Sequence, residues 1–172
     1  IHFVGSHPMA GSEHTGVEFA KADLFEKAPC IVTNSATTDR PSLNKVIKFW
    51  RSLGAIVKVM SPASHDKSVS LISHLPHIVA FGLAGSVPLR ELRYAAEGFK
   101  DTTRVASSDP ELWADIFLTN KREILKAGRL FESYYKDILK AISKGDHKKT
   151  VIFLKRAKSK RDTLSLNGKE NL

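Results

Sequence analysis

The 172-residue sequence has one cysteine, two methionines and no uninterrupted apolar run as long as a membrane span requires. A single cysteine excludes a disulfide framework. Cys30, within Pro29-Cys30-Ile31-Val32, reads as a small buried hydrophobe in a reducing, cytoplasmic compartment. The start, Ile1-His2-Phe3-Val4-Gly5, has neither the basic region nor the long apolar stretch of a signal peptide. It also lacks an initiating Met and opens in what reads as a strand, so the chain is expected to be a fragment with a further part upstream. No membrane partner is expected.

What is present is unevenly distributed. From Thr119 onward there are 15 Lys+Arg against 6 Asp+Glu, a net +9; the first 118 residues hold 12 of each. A basic end can bind nucleic acid, but here the basic residues interleave with a regular apolar stripe and no nucleic-acid motif accompanies them. Solvated helix faces are the simpler reading.

Periodicity divides the chain in two. Ile1–Gly5, Pro29–Thr33 and Ala55–Met60 read as short strands. Pro41–Leu53 reads as a helix with Leu43, Val46, Ile47 and Trp50 on one face, Pro41 in its first turn and Gly54 as its stop. Strands alternating with a helix suggest part of an α/β unit with a parallel sheet. From Ser64 the pattern is helical: a helix over His65–Val87 kinked by Pro76, a short helix over Pro88–Glu97, a long one from Pro110 to Gly145 and a last one over Asp146–Arg161. Uninterrupted, the long helix would reach roughly 50 Å and leave apolar surface bare, which predicts a homodimer. The expected fold class is mainly α: the last strands of a Rossmann-type α/β domain (1–63), an all-helical dimerisation and substrate domain (64–163), and an irregular tail (164–172).

Four segments concentrate polar residues. In the first, Gly5 to Glu13, His7 follows a strand at the place where α/β sheets hold ligands and could act as a general base; a surface-loop histidine is the bland alternative. In the second, His74 and His77 flank Pro76; three residues apart, they could share a face, but no nearby Cys or Glu completes a ligand set, and no metal is expected. The third, Gly98 to Arg104, offers a guanidinium suited to a carboxylate, with Asp101 able to hold it, or simply a loop ion pair. The fourth centres on Trp113, which could equally be a core or dimer contact.

Together and in this order these segments resemble one family. The run HPMAGSEHTGVEFAKADLFEKAPCIVT (7–33) looks like the close of the nucleotide domain of prephenate dehydrogenases. SHLPHIVAF (73–81) and GFKDTTRVASSDPELWADIFLTNK (98–121) look like that family's helical domain. The resemblance runs from residue 2 to about 143 and omits the basic end. It implies oxidative decarboxylation of prephenate, or of arogenate, with hydride passing to NAD or NADP in tyrosine biosynthesis. By motif it makes His7 the catalytic base; His77 and Arg104 would hold substrate carboxylates. Glu13, Asp101 and Trp113 would line the substrate site, and Met9 would lie near the nicotinamide. Two departures stand out. The fingerprint G-x-G-x-x-G and the serine that the family places upstream of HPMAG are both absent, so these residues alone are expected neither to hold the cofactor tightly nor to turn over. The competing reading is a non-catalytic helical dimerisation module with a basic tail, for which His7 and Arg104 would be dispensable.

Overall fold

The computed structural model describes residues 2–11, 16 and 19–167, with side chains through 164. By compactness the chain divides into two units, Ile1–Leu125 and Lys126–Leu172.

The first unit opens with a three-stranded sheet ordered β1 (Ser6–Pro8), β2 (Pro29–Thr33), β3 (Ile56–Met60). Helix α1 (Arg40–Ser52) connects β2 to β3, and this pair is parallel. Asp39 caps α1 by accepting from Ser42 N, Pro41 lies in its first turn, and Gly54 leaves it at φ +81°. That conformation suits glycine, and a Cβ there would stand 3.2 Å from Glu26. Cys30, Val32, Leu43 and Ala55 form the core between β2 and α1, with Trp50 packed against it. Cys30, Ile31 and Val32 are all buried, as expected for a strand covered on both faces.

The first strand departs from expectation. Residues 2–5 carry no regular structure; the strand is Ser6–Pro8, and it pairs antiparallel with β2, His7 opposite Ile31. His7 therefore lies within an antiparallel strand, not in a loop after a parallel one. Gly5 permits the approach, since a Cβ there would meet Thr33 Oγ1 at 2.7 Å.

Beyond the sheet the structure is helical. The expected disruption near Pro76 takes the form of a π-helical turn, Ser70–His74, between α2 (Pro62–Val69) and α3 (Leu75–Ser86). The stretch Pro62–Ser86 is, with mean hydropathy 1.3, long and apolar enough by length and composition to cross a membrane, although broken by polar residues. Those polar residues, among them His65, Asp66, His74 and His77, make hydrogen bonds within the fold. A 3₁₀ segment, Leu89–Tyr94, replaces the second short helix. The supposed loop around Asp101 is helix α4 (Glu97–Thr103), and Arg104 opens the 3₁₀ turn Arg104–Ser107. The long helix is interrupted: α5 (Pro110–Thr119) ends at Asn120 and α6 (Lys121–Ser143) follows.

In the second unit, α6 turns at Gly145 (φ +61°) into α7 (His147–Asn167), joined by Tyr134 Oη donating to Phe153 O at 2.8 Å. Helix α7 continues past Arg161, so residues 164–167 are helical and not part of an irregular tail.

Candidate active site

Pairing in register places His7 on the same sheet face as Ile31, opposite the α1 side. Helix α2 meets it there. Ser61 caps α2, its hydroxyl accepting from Ser64 N at 3.1 Å. The first turn so fixed presents His65, whose Nε2 lies 2.9 Å from His7 Nδ1. The two rings stand 5.2 Å apart and tilted at 56°, an edge contact suited to a hydrogen bond. His65 Nδ1 in turn lies 2.9 Å from Asp66 Oδ1. His7 is exposed in part, yet lost hydration, and then the like charge of His65, hold its pKa below the ordinary imidazole value.

The π turn and α3 supply the second group. His74 is buried, and its Nδ1 lies 3.3 Å from Asn120 Nδ2. That same amide donates to the Asp66 carbonyl at 2.8 Å, so Asn120, at the break between α5 and α6, ties α2 to the π turn. Burial foremost, with His7, His65 and His77 after it, lowers the His74 pKa; Asp66 opposes them. His77 directs Nδ1 at the Ser73 carbonyl, 2.9 Å away. Its ring stacks on Trp113 from α5, with centroids 3.4 Å apart and planes within 19°. Desolvation first lowers the His77 pKa, the Ser73 carbonyl raises it, and the Arg104 guanidinium lowers it again.

Through His74, which feels both His7 and His77, the structure links His7 to the His77–Trp113 stack, and Arg104 acts on His77. Asp101 is exposed on α4. Met9 is half-buried and its N–H donates to Pro29 O at 2.7 Å, extending the β1–β2 pairing. Glu13 lies outside the described residues. His65, Asp66 and Asn120 are not singled out from sequence, because the contacts that join His65 to His7 and Asn120 to Asp66 and His74 span 46 to 58 residues.

At the carboxyl end of β2 a cleft of about 290 Å³ is lined by Gly5, Thr33, Ser35, Thr37, Thr38 and Pro62. Its hydroxyls suit the polar edge of a small ring, and its position is where α/β sheets bind nucleotides. Its size is at the low end for a small-molecule site.

Comparison with known proteins identifies the family. Residues 1–59 match the nucleotide-binding domain of prephenate dehydrogenase, and residues 61–156 match its dimerization domain. The chain is 40% identical to prephenate dehydrogenase of Bacillus subtilis over 97% of its length, covering 47% of that protein. It is 37% identical to cyclohexadienyl dehydrogenase of Zymomonas mobilis over 83% of its length, covering 51% of that relative. The crystal structure of Aquifex aeolicus prephenate dehydrogenase with hydroxyphenyl propionate and NAD+ superposes with a TM-score of 0.87 at 39% identity, covering 94% of this chain and 59% of that one. Arogenate dehydrogenase of Synechocystis gives a TM-score of 0.80 at 29% identity, covering 95% and 62%. The chain therefore spans about half the length of the curated relatives it matches, and it belongs to the prephenate dehydrogenase family.

Proposed function

We propose that the protein oxidatively decarboxylates prephenate to 4-hydroxyphenylpyruvate, a step of tyrosine biosynthesis, using NAD or NADP. The observation that carries this reading is that His74 lies within electrostatic reach of both His7 and His77, with Trp113 stacked on His77 and Arg104 acting on it, in a chain from this family.

Bound NAD(P)+ supplies the hydride acceptor; the Thr33–Thr38 cleft and Met9 would meet its nicotinamide end. His7 takes the proton of the ring hydroxyl as hydride leaves the same carbon. Loss of CO2 then gives a phenolate, to which His7 returns the proton, so the imidazole shuttles one proton without net release. Its lowered pKa keeps it neutral, and able to accept, below the pH at which an ordinary imidazole charges. Arg104 and His77 hold the substrate's carboxylates, Trp113 bounds the site, and Asp101 lines its approach. Residues 61–156, matching a dimerization domain, form a homodimer. The buried thiol of Cys30 fits a reducing cytoplasm.

The test is prephenate-dependent NAD(P)H formation by the full-length protein. In His7→Asn, kcat falls at least ~100-fold, the scale of a lost general base, with the unfolding midpoint little changed. Normal turnover by that variant would remove His7 from the chemistry, whereas a folded wild-type protein that forms no NAD(P)H from prephenate or arogenate would favour a non-catalytic helical module. The likeness to Synechocystis arogenate dehydrogenase supports arogenate as the second substrate reading, decided by comparing kcat/KM for the two compounds.

A further inference from the structure

We propose that His65 and Asp66 are positioning residues that fix the tautomer of His7, leaving its Nε2 bare to receive the substrate proton. The inference rests on the reading of His7 as the base and adds what makes it one.

The argument follows from which atoms can donate. An ionised carboxylate only accepts hydrogen bonds. Asp66 Oδ1, 2.9 Å from His65 Nδ1, therefore places a proton on that nitrogen. A neutral His65 then has only a lone pair at Nε2. Because Nε2 is 2.9 Å from His7 Nδ1, His7 must donate its Nδ1 proton there. The remaining nitrogen of His7, Nε2, is unprotonated. The opposite polarity requires a doubly protonated His65 and leaves His7 with Nε2–H and no basic site. The chain Asp66–His65–His7 thus orders protons in one direction, the role a carboxylate plays behind a catalytic imidazole in hydrolase triads; here a second imidazole is interposed.

The arrangement is held from several sides. His65 N donates to Ser61 O at 2.9 Å and Asn120 fixes the Asp66 carbonyl, so the α2 turn carrying both residues is braced at each end. Among the described residues, the titratable and charged groups around the pair are Asp66 on α2, His74 on the π turn and, beyond it, His77 with Arg104. Asp66 is the carboxylate among them. Since His7 shuttles its proton back to product, the chain need not conduct protons away; it need only hold the ring and its tautomer.

The test uses the full-length protein. In His65→Leu, kcat for prephenate falls on the order of 100-fold, the low end of what a correctly protonated base contributes, while KM is unchanged. His65→Gln, whose side-chain carbonyl can accept the same proton, recovers most of that loss. Asp66→Asn places an amide donor before His65 Nδ1, admits the reversed polarity, and also lowers kcat. The tautomer is read directly by ¹⁵N NMR of histidine-labelled protein: Nδ1–H with bare Nε2 for His7 in the wild type, shifting towards Nε2–H in His65→Leu. A wild-type His7 carrying Nε2–H would overturn the inference, as would an unaltered kcat in folded His65→Leu. These outcomes are separable from failure of the broader reading. If His7→Asn still turns over, His7 is not the base; if His7→Asn is inactive while His65→Leu is normal, only the positioning role is lost.

Discussion

The Ser73 carbonyl accepts the Nδ1 proton of His77, which leaves neutral His77 a lone pair at Nε2 and no donor for a carboxylate. His77 can therefore grip an anion only when protonated. In the free protein, burial and Arg104 hold its pKa below the ordinary value, so the ring is neutral near pH 7. Binding of a dicarboxylate favours the imidazolium, which also gains from the face of the stacked Trp113. Substrate binding should thus take up a proton. KM for prephenate rises as the pH is raised above the lowered His77 pKa of the free protein and levels off beyond that of the complex, and His77→Gln flattens this dependence. A wild-type KM constant from about pH 5 to 8, the range in which histidine titrates, would show that His77 binds in another way.

At the scale of elements, the short helix α5 carries Trp113 to the stack. Asp109 caps it, accepting from Leu112 N at 2.9 Å, and Pro110 lies in its first turn. Asp109→Ala should cost about 1 kcal/mol of stability, read by denaturant unfolding, and should raise KM by loosening the Trp113 support. An unchanged unfolding midpoint would show that packing alone holds α5. This helix start was legible because its signals are local, as were Pro41 and Gly54 around α1. Other elements were hidden because distant contacts make them. Ser6–Pro8 has no β-branched residue and becomes a strand only through its pairing with β2. The segment around α4 holds Gly98, Thr102 and Thr103, poor helix formers, and reads as a loop; in the fold the Thr102 and Thr103 hydroxyls donate back to the Gly98 and Phe99 carbonyls within the helix. The break at Asn120 lies inside a continuous apolar stripe, and its amide is engaged by Asp66 and His74 far upstream. The motif residues His7, His77, Arg104 and Trp113 could be read as a set, whereas His65 and Asp66 have meaning only once β1 and α2 meet.

For the whole molecule, the lowered pKa values of His7, His74 and His77 act together on stability. In the unfolded chain these rings titrate near about 6.5. Below that value the unfolded state binds more protons than the folded one, so stability rises with pH. It is fully present above about pH 6.5 and is lost as pH falls through the folded-state values. Asp39 and Glu132, held low by Ser42 and Lys136, add a loss only in the carboxylate range. The thermal midpoint of the full-length protein should therefore drop between about pH 7 and 5, and less so in His74→Gln. A midpoint constant over that interval would contradict the neutral state assigned to these rings.

The π turn at Ser70–His74 determines where those rings point. At about 100° per residue, an unbroken α-helix would carry His77 roughly 120° around the axis from His65. Absorbing one extra residue in a single turn reduces that offset to about 20°, and Ser70, buried and donating to Lys67 O at 2.7 Å, lies at its start. The turn is a phase correction written in chain length. The identity of exposed positions within it, such as Leu71 and Ile72, does not set this phase, but the number of residues between His65 and His77 cannot change without swinging one half of the site away from the other.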